Sequence, residues 1–251
     1  MLNIVVPMAG RGSRFAKEGY QDPKPLIPLN NKRMIEVVIN NLKPARPHKF
    51  IFICQQEHIE EYDLSNKLSQ WAPNCEVIGI DGITEGAACT VMCAENFINN
   101  DDPLMIANSD QWIDIGIEDY LKFMDQKDLD GLIMTMAADD PKWSYAELDK
   151  NNKVTRVVEK EVVSDEATVG IYNFKRGSDF CRNAKKMFDL NERTNGEFYV
   201  APVYTLMYKN ENADIGIYNI GAEANGMYGL GIPYDLNLFL SLEISKKALD
   251  F

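Results

Sequence analysis

The chain has 251 residues, of which 45% are apolar and 25% are charged, and its formal net charge is −12. This length suits one large domain with a substantial core, and the acidic balance argues against a nucleic-acid-binding protein, which needs a broad basic surface. No apolar run reaches transmembrane length, and the N-terminus MLNIVVPM lacks the basic start and cleavage site of a signal peptide. We therefore expect a cytoplasmic protein without a membrane partner.

The charge is spread unevenly along the chain. Residues 1–50 contain nine Lys/Arg against three Asp/Glu, a net charge of +6, whereas the remaining 201 residues carry −18. A local basic cluster of this kind can hold one small phosphorylated ligand even in an acidic protein.

Strand and helix patterns alternate over the first half of the chain. Buried strands are predicted at 3–9, 49–55, 76–81, 103–110 and 130–138, and helices at 33–42, 57–71, 86–98 and 116–126. This alternation predicts an α/β fold with a mostly parallel, Rossmann-like sheet flanked by helices, whose ligands bind at the carboxyl ends of the strands. The glycine loop at 9–13, the loop at 82–87 and Asp110 all follow predicted strand ends, so we expect them to meet along one edge.

The pattern changes after residue 140. A strand–turn–strand is predicted at 144–161, a strand at 167–177, helices at 178–188 and 198–208, a strand at 213–220 and a helix at 233–249. This mixed α+β part predicts one domain, 1–251, with two lobes, 1–140 and 141–251. The apolar stretch LNLFLSLEI (236–244) is expected in the core, although it leaves a homo-oligomer open.

The few cysteines and histidines limit the chemistry. Cys89 and Cys93 lie one helical turn apart, but no further ligand follows at zinc-site spacing. The only histidines are His48 and His58, which does not favour a Ser-His-Asp hydrolase. We expect reduced, mostly buried thiols.

The opening stretch VPMAGRGSRF runs from an apolar strand into two glycines. It does not match a P-loop, and a dinucleotide fingerprint would need a glycine where Phe15 stands. Gly10 and Gly12 let backbone amides approach a phosphate, and Arg14 adds a planar fork suited to phosphate oxygens. The two glycines alone would also be typical of a plain strand-to-loop turn.

Lys24 lies between two prolines, Pro23 and Pro25. The prolines stiffen the backbone and define where the lysine lies. A rigidly held ammonium group is suited to neutralising charge on a reacting phosphorus.

AGRGSRF followed by PKPLIPLNNKRMIEVVINNL resembles the sugar-phosphate nucleotidylyltransferase family, whose motif is G-x-G-x-R, then P-K-P/Q-L and a K-P-M-I helix. The resemblance extends over nearly the whole chain and is strongest over 1–42. It implies a GT-A-like fold and a reaction of a nucleoside triphosphate with a phosphorylated acceptor, here a sugar 1-phosphate, that gives an NDP-acceptor and pyrophosphate. The attack is in line, without a covalent protein intermediate. The product would be an activated precursor of a surface polysaccharide.

The resemblance also implies the roles of the nucleotide-side residues. Arg14 would hold the β- and γ-phosphates, and Lys24 would steady the α-phosphate during the attack. TEGAACTV (84–91) resembles the base-binding loop of the family, and Asp110 in ANSD would bind Mg²⁺. The residues that would wrap the nucleotide are Met8, Ala9, Gly10, Gly12, Ser13, Glu85, Gly86 and Ala87.

The acceptor side resembles the family through three shorter motifs. VVEKE (157–161) resembles E-K-P with Glu161 in place of the proline, so Glu159 and Lys160 would face the acceptor. ATVGIYNF implies that Gly170 leaves room for the acceptor, and NGEFYVAPVY implies that Glu197 contacts an acceptor hydroxyl or amine.

One departure concerns the metal site. The family often carries D-x-G-T-P-E-D, whose first Asp is a second metal ligand, but Gly229 stands at that position in GLGIPYD. Asp110 would therefore hold the ion with phosphates and water alone, or another acid would substitute.

Three alternatives stay open beside the sugar-phosphate enzyme. The first is a CTP-dependent cytidylyltransferase acting on a non-sugar phosphate, such as a phosphorylated alcohol or amino-acid derivative. The second is a GT-A glycosyltransferase, although the D-x-D motif is absent at Ser109-Asp110-Gln111. The third is a non-catalytic nucleotide binder, against which the intact Arg14, Lys24 and Asp110 argue.

Replacing the proline-braced lysine tests its assigned role. Lys24→Ala is expected to lower turnover by orders of magnitude, because charge stabilisation on the reacting phosphorus is lost. Pyrophosphate release and circular dichroism measure turnover and fold. Near-normal turnover in a folded mutant would contradict the role.

Overall fold

A computed structural model describes all residues, 1–251, as thirteen strands and eleven helices. The strands are β1 Leu2–Pro7, β2 Pro28–Leu29, β3 Lys32–Arg33, β4 His48–Gln55, β5 Glu76–Ile80, β6 Leu104–Ala107, β7 Gln111–Ile113, β8 Gly131–Ala137, β9 Ser144–Leu148, β10 Val154–Glu159, β11 Glu166–Phe174, β12 Ile215–Glu223 and β13 Gly226–Gly229. The helices are α1 Ser13–Lys17, α2 Met34–Leu42, α3 Gln56–Tyr62, α4 Leu64–Trp71, α5 Ala87–Met92, α6 Glu95–Ile98, α7 Ile117–Lys127, α8 Gly177–Asp189, α9 Val203–Glu211, α10 Pro233–Ser241 and α11 Ile244–Leu249.

One large sheet runs through the molecule in the strand order β5-β4-β1-β6-β11-β8-β12-β13-β7, with the β9–β10 hairpin attached to β11. Seven of the nine strands in this order run in the same direction, and only β11 and β7 oppose them. The predicted α/β fold with a mostly parallel sheet is confirmed.

Strand β11 joins the first half of the chain to the second. It lies antiparallel between β6 and β8, so that Tyr172 is opposite Ile106 on one side and Ile133 on the other. Eight of its nine residues are buried, as expected for a central strand covered on both faces. The register with β8 shifts between Thr168 and Tyr172, which marks a bulge near the cavity described below.

The two faces of the sheet bury alternate residues of each strand. On β1, Ile4 and Val6 join the core that includes α2, α4 and α7, whereas Val5 joins the core that includes α5, α8 and α9. This period of two follows from strand geometry. A third, smaller core packs Phe15 of α1 against Leu236 and Phe239 of α10, and so connects the opening loop to the C-terminal segment.

Several predicted helices differ from the observed ones. The helix predicted at 57–71 is broken at Asp63, which adopts a left-handed conformation with φ 51°. The helix predicted at 233–249 is interrupted at Leu242, where the backbone is extended. The helix predicted at 198–208 begins only at Val203, because the preceding segment pairs with another loop instead. The short strands β7 and β13, which pair with each other, were not predicted.

None of the helices is both long and apolar enough to cross a membrane.

Tyr204 of α9 links a helix to the sheet. Its buried hydroxyl donates a hydrogen bond of 2.8 Å to the carbonyl of Asn173 on β11, and its ring stacks on Phe174 with centroids 4.5 Å apart. The Tyr204 side chain is fully buried, so water cannot take the place of its hydroxyl as the donor to this carbonyl.

Tyr204→Phe is expected to lower the free energy of unfolding by about 1–2 kcal/mol, because the Asn173 carbonyl loses its buried donor. Urea unfolding measures the change. Tyr208→Phe on the same helix is the control, since the Tyr208 side chain is only partly buried and water can reach its surroundings. Equal stability of both variants and the parent would show that the bond contributes nothing.

Candidate nucleotide and acceptor site

A cavity of about 1210 Å³ opens at the carboxyl ends of the parallel strands. Residues from both halves of the chain line it. The predicted site residues in its lining are Arg14, Ala87, Asp110, Glu159 and Gly170.

Lys24 and Asp110 form an ion pair beside this cavity. The Nζ atom of Lys24 lies 2.8 Å from Oδ2 of Asp110, and both side chains are about three-quarters buried. Gly12 packs against the same lysine, since a Cβ placed on Gly12 would be 3.2 Å from the Cβ of Lys24. The glycine loop and the strand-end carboxylate, which were predicted to lie along one edge, therefore meet at Lys24, whose place between them was not predicted.

Asp235 supplies a second carboxylate close to Gly229. A Cβ placed on Gly229 would lie 3.3 Å from Oδ2 of Asp235, and a Cβ on Gly231 would lie 2.4 Å from Oδ2 of Asp110. Burial, followed by the charge of Glu223, raises the pKa of Asp235. A carboxylate from the first turn of α10 therefore lies beside position 229, where the family motif has its aspartate.

Gln55, at the carboxyl end of β4, was not predicted from the sequence. Its buried amide donates to the carbonyl of Ala9 and, at 2.7 Å, to the carbonyl of Gly82. This one side chain ties the glycine loop to the loop that precedes the predicted base-binding residues.

Gly86 brings the predicted base-binding loop against the segment before α9. Its φ is 133°, and a Cβ would lie 2.4 Å from the carbonyl oxygen of Phe198. Phe198 donates its N–H to the carbonyl of Glu85 at 2.8 Å and accepts from the N–H of Ala88 at 3.0 Å. Only glycine fits this approach and conformation.

Glu85 is occupied by an ion pair in this structure. Its carboxylate pairs with Arg193, whose guanidinium lies 4.0 Å from the ring centroid of Phe198. A contact from Glu85 to a ribose or base would have to compete with Arg193.

The predicted acceptor residues differ in their access to the cavity. Glu159 lines it and accepts a 2.5 Å hydrogen bond from the hydroxyl of Ser144, and burial raises the pKa of the Glu159 carboxyl. Lys160 is exposed with φ 58° and lies outside the lining, its Nζ 5.9 Å from the ring centroid of Tyr199. Glu197 is exposed and does not line the cavity.

The space above Gly170, which was expected to hold the acceptor, is occupied by the side chain of Asn108. A Cβ on Gly170 would lie 2.1 Å from Nδ2 of Asn108, whose backbone N–H donates to the Gly170 carbonyl at 3.0 Å. Asn108 is itself exposed and lines the cavity. The amide of Asn108, and not an open space, therefore lies above this glycine.

The remaining predicted nucleotide residues form the loop behind the ion pair. Met8 and Ala9 are buried, whereas Gly10 and Ser13 are exposed. A Cβ on Gly10 would meet no atom within 4 Å, so its surroundings are open to a ligand.

Removing the link made by Gln55 tests whether the two loops act together. Gln55→Leu is expected to weaken nucleoside triphosphate binding about tenfold, because two hydrogen bonds that hold the loops are lost. Titration calorimetry measures the affinity. Gln56→Leu is the control, since its amide bonds only to Glu60 on an exposed helix face. Unchanged affinity in Gln55→Leu would mean that the loops are positioned without this link.

The comparisons with known proteins agree with the geometry. The archaeal low-salt glycan biosynthesis nucleotidyltransferase Agl11 of Haloferax volcanii is 27% identical over 174 residues, which are 68% of this chain and 48% of that protein. The bifunctional protein GlmU of Methanocaldococcus jannaschii is 22% identical over 257 residues, 99% of this chain and 55% of that protein. The chain thus spans about half the length of these curated relatives.

A solved structure shares the fold. The nucleoside-diphosphate-sugar pyrophosphorylase from Vibrio cholerae RC9 superimposes with a TM-score of 0.80 at 23% identity, over 95% of this chain and 100% of that one. Residues 4–213 match the family model described as "Nucleotidyl transferase". The chain therefore belongs to the nucleotidyl transferase family, as its opening motif predicted.

Proposed function

We propose that the protein transfers a nucleotidyl group from a nucleoside triphosphate to a phosphorylated acceptor and releases pyrophosphate. The observation that carries this proposal is the Lys24–Asp110 pair beside the cavity that Arg14 lines. An acceptor phosphate oxygen attacks the α-phosphorus, a new P–O bond forms, and the bond to the pyrophosphate oxygen breaks.

The residues of the chain act by position and charge. Lys24 exchanges its partner Asp110 for the α-phosphate when the triphosphate binds, and its ammonium group neutralises charge there as the attack proceeds. Arg14 offers a planar fork to the β- and γ-phosphates. The backbone around Gly10 and Gly12 gives the phosphates close access to amide groups.

The carboxylates suit a magnesium ion. Asp110 and Asp235 both line the cavity and are only partly covered, and carboxylate oxygens are ligands that Mg²⁺ prefers. These two residues would hold the ion. When bound, Mg²⁺ would neutralise charge on the phosphate oxygens.

The proposed acceptor is a sugar 1-phosphate, and the product a precursor of a surface polysaccharide. The name of the Haloferax relative, a glycan biosynthesis nucleotidyltransferase, supports this choice.

The second candidate is CTP-dependent transfer to a phosphorylated alcohol or amino-acid derivative. The acidic residues Glu159 and Glu223 in the cavity lining favour this candidate, because their carboxylates would attract the positive charge of an amine on the acceptor.

We assign nucleotide binding to residues 1–140 and acceptor binding to 141–251, with Glu159, Gly170 and, after a side-chain movement, Lys160 and Glu197 on the acceptor side. The reaction would take place in the cytoplasm.

The test is a pyrophosphate-release assay with CTP, UTP, dTTP, ATP and GTP, each with Mg²⁺ and a pool of phosphorylated sugars, polyols and amino-acid derivatives. Release with one base and one acceptor is the expected result. Hydrolysis of a UDP-sugar without pyrophosphate would instead indicate a glycosyltransferase, and nucleotide binding without any turnover a non-catalytic binder.

The second carboxylate has its own test. Asp235→Asn is expected to raise the Mg²⁺ concentration for half-maximal turnover about tenfold, because one charged ligand is lost. Binding of Mn²⁺ followed by electron paramagnetic resonance should weaken in parallel. Asp214→Asn, whose side chain pairs with Lys153 outside the cavity, is the control. An unchanged Mg²⁺ requirement would leave Asp110 as the only protein ligand.

A further inference from the structure

Glu159 lies at one wall of the cavity, near several aromatic side chains. Trp143, Tyr172 and Tyr199 also line the cavity. Burial raises the pKa values of both tyrosines; the charge of Glu159 adds to this at Tyr172, and the charges of Glu197 and then Glu159 add to it at Tyr199. We call Trp143, Ser144, Glu159, Tyr172 and Tyr199 the acceptor wall. Its only hydrogen bond to the carboxylate of Glu159 is that from Ser144.

The charged residues of the cavity lining are mainly acidic. Three basic residues face five acidic ones: Arg14, Lys17 and Lys142 against Glu18, Asp110, Glu159, Glu223 and Asp235. Lys142 is already used, since its Nζ lies 3.0 Å from both oxygens of Glu223. Glu159 forms no salt bridge, and the positive charge that acts on its carboxylate is that of the neighbouring, exposed Lys160.

The rings of the acceptor wall already attract cations in the free protein. Nζ of Lys142 lies 4.9 Å from the ring centroid of Trp143, and Nζ of Lys160 lies 5.9 Å from that of Tyr199. Both distances are within the range of cation–π attraction. The wall thus combines ring faces that attract a positive charge with a carboxylate that forms no direct ion pair.

A second observation concerns Gln111, a buried polar side chain beside Gly170 that the protein leaves partly unsatisfied. It is 94% buried, it lines the cavity, and its Nε2 has no hydrogen-bond partner in the protein. Its Oε1 lies 3.1 Å from a Cβ placed on Gly170, which puts the amide beside the centre of β11. Because Nε2 only donates, it suits an oxygen of the bound acceptor.

We infer that the acceptor carries a protonated amine or a quaternary ammonium group as well as its phosphate, and that this cation lies against Glu159 and the rings of the acceptor wall. A neutral polyol would leave the partly buried Glu159 carboxylate with no direct ion pair and only the charge of the exposed Lys160 to balance it, which is costly. A cation would balance it and stack on the rings. The inference rests on the proposed function for the phosphate end of the same acceptor.

Two matched pairs of probes test the inference by binding. Glucosamine 1-phosphate is compared with glucose 1-phosphate, and phosphoethanolamine with 2-hydroxyethyl phosphate. Each pair differs by an ammonium group, and the two pairs separate a sugar source of the amine from a small alcohol. Calorimetry is done with the full chain, Mg²⁺ and non-hydrolysable CTP or UTP analogues. The amine member of at least one pair is expected to bind about tenfold more tightly.

Glu159→Gln assigns the preference to the carboxylate. Glutamine keeps the shape and can still accept from Ser144, so the ratio of dissociation constants within the pair is expected to fall towards one. Glu147→Gln on the neighbouring strand is the control, because Glu147 pairs with Arg156 outside the cavity and the ratio should stay unchanged. A merely structural effect would weaken both members equally and leave the ratio intact.

The outcomes separate this inference from the proposed function. Equal binding within both pairs, failure of both amines to bind, or a ratio unaffected by Glu159→Gln would overturn the inference. Pyrophosphate release from a neutral acceptor without amine preference would do so as well, while it upholds nucleotidyl transfer. Amine-selective binding that never leads to pyrophosphate release would overturn the proposed function and leave the cation site standing.

Discussion

The structure depends on one antiparallel strand held between parallel neighbours. β11 hydrogen-bonds to β6, which ends just before Asp110, and to β8, which pairs in turn with β12 of the second half. Through this pairing the phosphate-side loops and the acceptor wall share one rigid sheet, and the cavity opens where the two meet. The bulge near Gly170 lies at that junction, where it lets the side chain of Asn108 turn over the strand.

The second constraint is the exchange of partners at Lys24. In the free protein its charge is balanced by Asp110, so neither group is left unpaired in a partly buried place. In the proposed reaction, substrate binding has to replace this contact with better ones at both Lys24 and Asp110, which would tie the affinity for a triphosphate to that for a divalent cation. Asp235 takes part in the same balance, since burial and the charge of Glu223 raise its pKa, and the charges of Lys142 and Arg14 lower it.

The sequence predicted the structure that depends on neighbouring residues better than it predicted contacts between residues far apart in the chain. The alternation of strands and helices and the motif from Gly10 to Lys24 predicted the sheet and the meeting of the loops, because both depend on neighbours in the chain. Gln55 and Asp235 were missed because their partners lie far from them in sequence or across a turn that spacing does not reveal. The break at Asp63 was missed for another reason: a single left-handed residue interrupts a pattern that is helical on either side.

The contact between Gly86 and Phe198 couples the loop around Gly86 to the segment before α9 through main-chain atoms, beside the side-chain pair of Glu85 and Arg193. Since Phe198 exchanges backbone hydrogen bonds with Glu85 and Ala88, neither loop can shift without the other. If the proposed acceptor moves the segment around Phe198, its binding changes the affinity for the nucleotide by a certain factor. By thermodynamic linkage, the nucleotide then changes the affinity for the acceptor by the same factor. These main-chain hydrogen bonds also tolerate most substitutions, because among the residues that form the contact only position 86 has to be glycine.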